Sequence, residues 1–424
     1  MKKIIIIGFL IAFTSVHAQW QISSRKLKTD FVLQKEQADF DSLIKSRISR
    51  ISQFKNFALH EKQIDKALYQ AALYYVRTPQ LEKTIENILS NNFRAPNHLL
   101  IRTIITAKTL YPNKFRSQIN SIFTQTKNPK IAVYALYYLK DKNFSDSTLA
   151  RKLSSKFSGN HNLILKLAQK DLLSNYNPLN KGVLTEILKK SFLKNHLVIF
   201  TFLRHNRKIP GLTFIRKPDG AFLMLNDSTL FTIPQLGYSV ADLPYFLEDG
   251  NTPQGLFSFQ GFYQSKKKSI GPTPALITRL PFEVSPVKFS FGKLSNDKWS
   301  LTSYLKLLPE DLRDDNRFTE TFFAGKLGRN KLVVHGSTDN PQYYNKESYY
   351  PLTPTTGCLS SVELWDAESG RVVRSDQLKL VNAILQTRRR SGYLLVVEID
   401  NKQTPVTEKE IEKLIHQTSK KYLR

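Results

Sequence analysis

The hydrophobic pattern of this chain changes its period once, near residues 209–211, and that change constrains the fold more than any other feature. Between about residues 39 and 204, apolar residues recur every three to four positions, which is the spacing of one face of an α-helix. After the change, short apolar runs are separated by turn signals such as Lys-Pro-Asp-Gly at 217–220. The chain therefore predicts an α+β multidomain protein, in which a helical region is followed by a mainly β domain.

The helical region, which we place at residues 19–208, consists of short amphipathic segments. Their apolar positions include Ile64, Leu68, Ala71, Ala72, Tyr75 and Val76, then Leu100, Ile104, Ala107 and Leu110, then Ile131, Ala135, Tyr138 and Leu139. Breakers separate the segments, and Pro96 and Pro129 stand where helices could begin, since proline is tolerated in a first turn. Short helices joined by short turns are typical of stacked helical hairpins, so we predict a HEAT-like solenoid, although no strict repeat is visible.

The second region, residues 209–405, is predicted to be mainly β. The predicted strands are residues 212–216, 221–225, 256–262, 275–280, 287–291, 332–334 and 393–399. Residues 406–424 are rich in Glu and Lys and carry apolar residues at Ile411, Leu414 and Ile415, which predicts a C-terminal helix.

The N-terminus has the pattern of a secretory signal peptide over residues 1–18. Two lysines precede a short apolar run, and Val16 and Ala18 occupy positions −3 and −1 of a cleavage site after Ala18. The run is too short for a comfortable transmembrane helix, and no other stretch is long and apolar enough for one. We therefore expect a protein secreted across the inner membrane to the periplasm or cell envelope, with no stable membrane span after cleavage.

The charge of the chain is strongly basic. Lys and Arg number 63 against 35 Asp and Glu, giving a formal net charge of +28. The excess is spread along the chain, so it is either a solvated surface or an attraction for polyanions such as envelope polymers and lipid head groups. No helix-turn-helix, zinc-finger or RNP-type signature accompanies it, and we expect no nucleic acid partner.

Cys358 is the only cysteine, and it follows Gly357 in a Thr-Thr-Gly-Cys motif. A single cysteine forms no internal disulfide, and a free thiol in an oxidising compartment is a liability unless it is buried or used. With His335 upstream, at the end of a β-like run, it makes a nucleophile-and-base hypothesis. No metal or other cofactor is expected, because zinc needs three or four ligands and His416 is the only other histidine in this half.

Three motifs, taken in order, resemble the L,D-transpeptidase (YkuD-like) catalytic domain. They are Thr-Pro-Gln-Gly-Leu-Phe at 252–257, His-Gly-Ser-Thr-Asp-Asn-Pro at 335–341 and Thr-Thr-Gly-Cys at 355–358. The resemblance covers roughly residues 209–400 and says nothing about the helical region. It implies a β-sandwich-like domain and a cysteine peptidyl transferase that acts on peptidoglycan stem peptides in the cell envelope.

The resemblance also implies which groups react. Cys358 would attack the carbonyl between the third and fourth residues of a stem peptide, and His335 would accept the thiol proton and later give it to the leaving D-amino acid. A fixed acceptor must hold the imidazole tautomer. In the family this can be the carbonyl of the residue after the histidine, here Gly336, and the side chains of Asp339 and Ser337 are alternatives.

Backbone N–H groups would form the oxyanion hole, and the predicted donors are Thr356, Gly357 and Cys358. The predicted substrate-binding residues are Ser337, Asn340, Tyr344, Thr355 and Ser360. Two positions depart from the family pattern. Many members carry His or Arg where this chain has Thr356, and Arg or Asn where it has Ser360, which puts the donor specificity in doubt.

Three alternatives stay open on the sequence. The acyl-enzyme could meet an amine, giving a cross-link, or water, giving trimming. A different class of function is a non-catalytic envelope scaffold, with a degenerate transferase domain and a solenoid that binds envelope proteins. The tyrosine-rich segment at 342–350 is either a lid or substrate wall, or an ordinary packed loop.

Overall fold

The computed structural model describes residues 21–140, 146–225 and 229–420. The predicted signal peptide at 1–18 lies outside the described residues, as do the last four positions of the predicted C-terminal helix. The α-helices described before the first strand are α1 (Gln34–Ile51), α2 (Glu61–Leu73), α3 (Pro79–Ser90), α4 (Asn97–Leu110), α5 (Arg116–Gln125), α6 (Pro129–Leu139), α7 (Asp146–Lys156), α8 (Leu163–Leu173) and α9 (Lys181–Leu188).

Capping residues set where several of these helices begin. Asn128 caps α6 by accepting the N–H of Lys130, and Pro129 is the first helical residue, as predicted. Pro96 instead precedes α4, which begins at Asn97. Thr78 caps α3 in the same way by accepting the N–H of Leu81.

The first eight helices pack in successive pairs that form two rows. Each hairpin is internally packed: α1 with α2, α3 with α4, α5 with α6, and α7 with α8. Along one row α2 contacts α4, α4 contacts α6, and α6 contacts α8, while α1 contacts α3 and α3 contacts α5 in the other. Each helix therefore buries its apolar stripe against the next hairpin as well as its own partner.

The strands are β1 (Leu197–Arg204), β2 (Gly211–Arg216), β3 (Thr232–Leu236), β4 (Gly255–Tyr263), β5 (Ala275–Arg279), β6 (Val334–His335), β7 (Leu359–Ser361), β8 (Glu363–Trp365), β9 (Val372–Ser375) and β10 (Gly392–Asp400). Eight of them close into one mixed barrel in the order β1-β10-β4-β5-β6-β7-β3-β2, and β8 and β9 form a separate ribbon. The α+β class is confirmed. The β-sandwich expectation is wrong, because the main sheet closes on itself instead of stacking on a second sheet.

Both faces of the closed sheet are apolar. Along β1, Val198 and Phe200 belong to one core, whereas Leu197 and Ile199 belong to another. This follows from the two-residue period of a strand, which sends neighbouring side chains to opposite faces. The first core is covered by helices α9, α10 (Pro286–Phe289), α11 (Leu301–Leu305), α12 (Glu320–Lys326) and α14 (Glu408–Lys420), and the second by α13 (Asp376–Gln386).

Three predictions of secondary structure are wrong. The strand predicted at residues 221–225 is absent, because only isolated β-bridges form there. Residues 197–204 were included in the helical region, but they form β1, which is buried along its whole length. A strand buried on both faces is a continuous apolar run, and its periodicity does not distinguish it from a buried helix. Residues 287–291 were predicted as a strand, but Ser285 and Pro286 start the short helix α10 there.

The helical region and the barrel share one core. The connection between β3 and β4 contributes Val240, Phe246 and Leu247 to the core built by α1–α8. Within the described ranges, no helix combines the length and the apolar character needed to cross a membrane.

Candidate active site

A parallel strand pair brings the histidine and cysteine motifs together. In the register of β6 and β7, Val334 lies opposite Leu359, and His335 lies opposite Ser360. Cys358 immediately precedes β7, and its Sγ accepts a hydrogen bond from the N–H of Val333 at 3.4 Å. The barrel therefore holds the thiol and the imidazole on neighbouring strands.

The imidazole of His335 is buried and fixed in orientation. Its Nδ1 lies 2.5 Å from the carbonyl oxygen of Gly336. A carbonyl can only accept, so Nδ1 carries the proton and Nε2 is left to face the thiol of Cys358. Of the acceptors considered from the sequence, the Gly336 carbonyl is the one that holds the ring.

The thiol and the imidazole shift each other's pKa in the directions that favour an ion pair. Burial alone would raise the pKa of Cys358, but the hydrogen bond and positive charge of His335, with a smaller contribution from Lys267, bring that pKa below its usual value. Burial would lower the pKa of His335, but its hydrogen bond to Cys358 and the thiolate charge raise that pKa. The site thus stabilises a thiolate beside an imidazolium.

Two threonines shape the turn before the nucleophile. Thr355 Oγ1 accepts the N–H of Gly357 at 3.0 Å and donates to the carbonyl of Cys358 at 2.8 Å. Thr252, from the first motif, donates to the carbonyl of Gly357 at 3.0 Å. Gly357 has a φ of +120°, which a residue with a Cβ rarely adopts.

The predicted oxyanion donors in this turn differ in whether their N–H group is already hydrogen-bonded within the protein. The N–H of Gly357 is occupied by Thr355, so it is not available to a substrate oxyanion. The N–H groups of Thr356 and Cys358 donate to no acceptor among the described residues. These two N–H groups remain the candidate donors of an oxyanion hole.

Arg329 packs against this turn, and it was not predicted from the sequence. The guanidinium is buried and donates to the carbonyls of Gly250 and Asn251, each at 2.8 Å, and to that of Tyr245. It lies directly against the Cα of Gly357. Burial lowers the pKa of Arg329 to about 10, so at neutral pH it still places a positive charge near the nucleophile.

Two buried carboxyl groups flank His335. Asp339 Oδ1 accepts a hydrogen bond from the hydroxyl of Tyr74 at 3.0 Å. Glu363 lies against the Cα of Gly336, and its Oε1 accepts from Ser375 at 2.5 Å. Burial raises the pKa of each carboxyl group to about 7.

The predicted substrate-binding side chains are mostly engaged within the protein. Ser337 donates to the carbonyl of Ser269 at 3.3 Å, Tyr344 to that of Leu73 at 2.6 Å, and Ser360 to that of Thr353 at 2.6 Å. All three are buried, and Thr355 is occupied in the turn described above. Asn340 is half-buried and caps the N–H of Gln342. A substrate contact at Tyr344 or Ser360 would require the surrounding chain to open.

The tyrosine-rich segment at 342–350 packs as a loop. Tyr344 and Tyr349 are almost fully buried and belong to a small core with Tyr238 and Leu352. The hydroxyl of Tyr343 donates to Asp41 of α1. In this conformation the segment joins the barrel to the helical region.

No pattern in the sequence pointed to Tyr74, Arg329 or Glu363. These residues belong to none of the three motifs, and Tyr74 is 265 residues from its partner Asp339.

Comparison with family models, with curated proteins and with solved structures finds no match to this chain. Among the described residues, no group of three or more His, Cys, Asp and Glu side chains could hold a metal ion.

Proposed function

We propose that this protein is an exported L,D-transpeptidase-like cysteine acyltransferase that acts on peptidoglycan stem peptides. The observation that carries the proposal is the pairing of Cys358 with His335, whose other ring nitrogen is held by the Gly336 carbonyl. A nucleophile, a base and a fixed orienting group are the three parts that acyl transfer by a thiol requires. The three motifs supply the substrate class by resemblance.

In the proposed reaction His335 takes the thiol proton, and the Cys358 sulfur forms a bond to the carbonyl carbon between the third and fourth residues of a stem peptide. The N–H groups of Thr356 and Cys358 would donate to the oxyanion, and one such donor is typically worth about 3 kcal/mol. When the C–N bond breaks, His335 gives its proton to the leaving amine. An amine or a water molecule then attacks the thioester and releases the thiol, which gives a cross-link or a trimmed peptide.

We extend the proposal to the two parts of the chain. The successive packing of helical hairpins supports a HEAT-like solenoid in the helical region. The motifs support an L,D-transpeptidase-like identity for the barrel. The basic composition suits an envelope protein that meets anionic polymers, and the predicted leader supports secretion to the periplasm or cell envelope.

The second candidate is a non-catalytic envelope scaffold, with the helical region binding envelope proteins. It is favoured by Ser360, which is fully buried where many family members carry Arg or Asn. A scaffold does not require a thiol whose pKa is lowered. The lowered pKa of Cys358 therefore favours the enzyme.

The test of the proposed function is mass spectrometry of the purified protein mixed with disaccharide-tetrapeptide muropeptides. We expect loss of the terminal D-alanine and an adduct on Cys358. Cross-linked dimers would indicate amine transfer, and tripeptide alone would indicate hydrolysis. Cys358→Ala is the matched control and should give neither product. Unchanged muropeptides with the intact protein would reject stem peptides as the substrate.

Thiol reactivity tests the chemistry without any assumed substrate. The rate of iodoacetamide alkylation, followed against pH, reports the thiolate fraction of Cys358. We expect fast alkylation near neutral pH, and a loss of about tenfold or more at pH 7 in His335→Ala. Slow alkylation that does not change in His335→Ala would support the scaffold.

A further inference from the structure

Helix α2 of the helical region contacts both sides of the candidate active site. Tyr74, which directly follows the last residue of the helix, donates a hydrogen bond to the loop after His335, and Tyr69 lies near Thr356 in the turn before Cys358. We propose that α2 is a wall of this site and that Tyr74 is a positioning residue, which holds Asp339 as a carboxylate beside His335. The inference rests on the proposed function only in taking Cys358 and His335 as the reacting pair.

The contact at Tyr74 is fixed by packing around it. Tyr74 is 5% exposed, and its ring packs against the rings of Phe40 at 5.1 Å and Tyr343 at 5.5 Å between centroids. Its hydroxyl donates to Asp339 Oδ1 at 3.0 Å. Burial raises the pKa of Tyr74, so the hydroxyl stays protonated and acts as a donor. The neighbouring Leu73 carbonyl accepts from Tyr344, which ties the same helix end to the tyrosine-rich loop.

The contact at Tyr69 lies about one turn earlier on the same helix. Burial raises the pKa of Tyr69, and the hydroxyl of Thr356 lies near enough to the Tyr69 hydroxyl to oppose that rise. The guanidinium of Arg102 lies 5.3 Å from the Tyr69 ring centroid. Arg102 in turn pairs with Asp65 of α2 and with Asp249 of the connection between β3 and β4. One helix and its ion pairs therefore brace the nucleophile turn and the histidine loop together.

The consequence for the chemistry is electrostatic. Burial raises the pKa of Asp339, and the hydrogen bond from Tyr74 opposes that rise. The carboxylate charge of Asp339 raises the pKa of His335, and the imidazolium lowers the pKa of Cys358. The charged and titratable groups around the pair are Asp339, Glu363, Lys267, Arg329, Tyr263, Tyr69, Tyr74 and Tyr344. In this set Tyr74 is the hydroxyl that donates directly to Asp339.

The test compares Tyr74→Phe with Tyr75→Phe in the full chain, using alkylation of Cys358 against pH. Phenylalanine keeps the ring and removes only the hydroxyl. We expect Tyr74→Phe to slow alkylation at pH 7 by about three- to tenfold and to move the midpoint of the profile to higher pH, because Asp339 becomes protonated. Tyr75→Phe is the matched control, since its hydroxyl contacts Tyr349 at 3.4 Å and not the site. It should stay within about twofold of the wild type.

A double-mutant cycle separates an electrostatic role from simple loosening of the fold. In the Asp339→Asn background the hydroxyl of Tyr74 has no carboxylate to stabilise, so adding Tyr74→Phe should change the alkylation profile by less than about twofold. An equal loss in both backgrounds, or an equal loss in Tyr75→Phe, would overturn the proposal. The assay uses no stem peptide, so failure of the muropeptide reaction leaves this test intact.

Discussion

Gly357 and Arg329 are in direct contact, and a methyl group added to the Cα of Gly357 would overlap the guanidinium of Arg329. The carbonyl of Gly250 lies 2.8 Å from the same methyl position, so neither a side chain nor the backbone gives room. Gly357 is required for this reason as well as for its φ of +120°. Both requirements come from the turn that precedes Cys358.

Gly357→Ala should therefore strongly lower the reactivity of Cys358. The backbone strain is on the order of 1–2 kcal/mol, and the overlap with Arg329 adds to it. We expect thiol alkylation at pH 7 to fall at least tenfold. The control is Gly292→Ala, which has a φ of +85° but open space around the new methyl group. It should lower stability by about 1 kcal/mol and leave alkylation unchanged. Equal effects of the two variants would contradict the contact.

Arg329→Met should destabilise the protein and expose the turn. The carbonyls of Tyr245, Gly250 and Asn251 would lose a buried donor, at about 1–3 kcal/mol each. We expect urea denaturation to show a loss of more than about 3 kcal/mol in the free energy of unfolding. Arg313→Met is the control, because Arg313 also donates to carbonyls but is partly exposed, so water can replace it. A loss in the free energy of unfolding as small as that of the control would show that Arg329 does not stabilise this part of the fold.

Arg102→Met should weaken the contact between the helical region and the barrel. It leaves Asp249, whose side chain is 11% exposed, without its cation, and breaking a buried pair costs about 3–5 kcal/mol. Lys130→Met removes a more exposed cation that pairs with the adjacent Glu248 at 3.4 Å, and it should cost at most about 1 kcal/mol. Thermal and urea unfolding of the two variants would test this. A similar small loss in both would argue against a rigid contact.

Glu363→Gln should change the pH dependence of stability. Burial raises the pKa of this carboxyl group from its ordinary value of 4.5 to about 7 in the folded protein, so the folded state holds the proton more tightly than the unfolded state. Stability is therefore lost as pH rises from about 4.5 to 7 in the wild type, on the order of 3 kcal/mol. Gln cannot ionise, so the variant should gain relative stability across this window and keep it above pH 7.

The measurement is the free energy of unfolding by urea at several pH values, taken as the difference between variant and wild type. Glu368→Gln, an exposed carboxyl group in the turn between β8 and β9, is the control and should differ by less than about 0.5 kcal/mol at every pH. If the difference in the free energy of unfolding between Glu363→Gln and the wild type did not change with pH, Glu363 would not be buried near Gly336.

Much of the local structure followed from the sequence. The helical spacing in the first region, the strand at 393–399 and the C-terminal helix were all predicted, because each has a periodicity or a boundary signal of its own. The wrong assignment of residues 197–204 has a physical cause. Residues 197–204 are apolar at nearly every position, and whether such a run is a buried strand or a buried helix depends on what packs against it.

For the site, the sequence by itself identified the candidate reacting groups, because Cys358 is the single cysteine and the motifs around it and His335 are local in the chain. Only the tertiary structure decided what surrounds them: Arg329 under Gly357, Glu363 against Gly336, and Tyr74 on Asp339. Turn chemistry and periodicity act over a few residues, so the residues nearby in the chain determine them. The contact between Tyr74 and Asp339 spans 265 residues, and it exists because helix α2 and the barrel bury their apolar faces together.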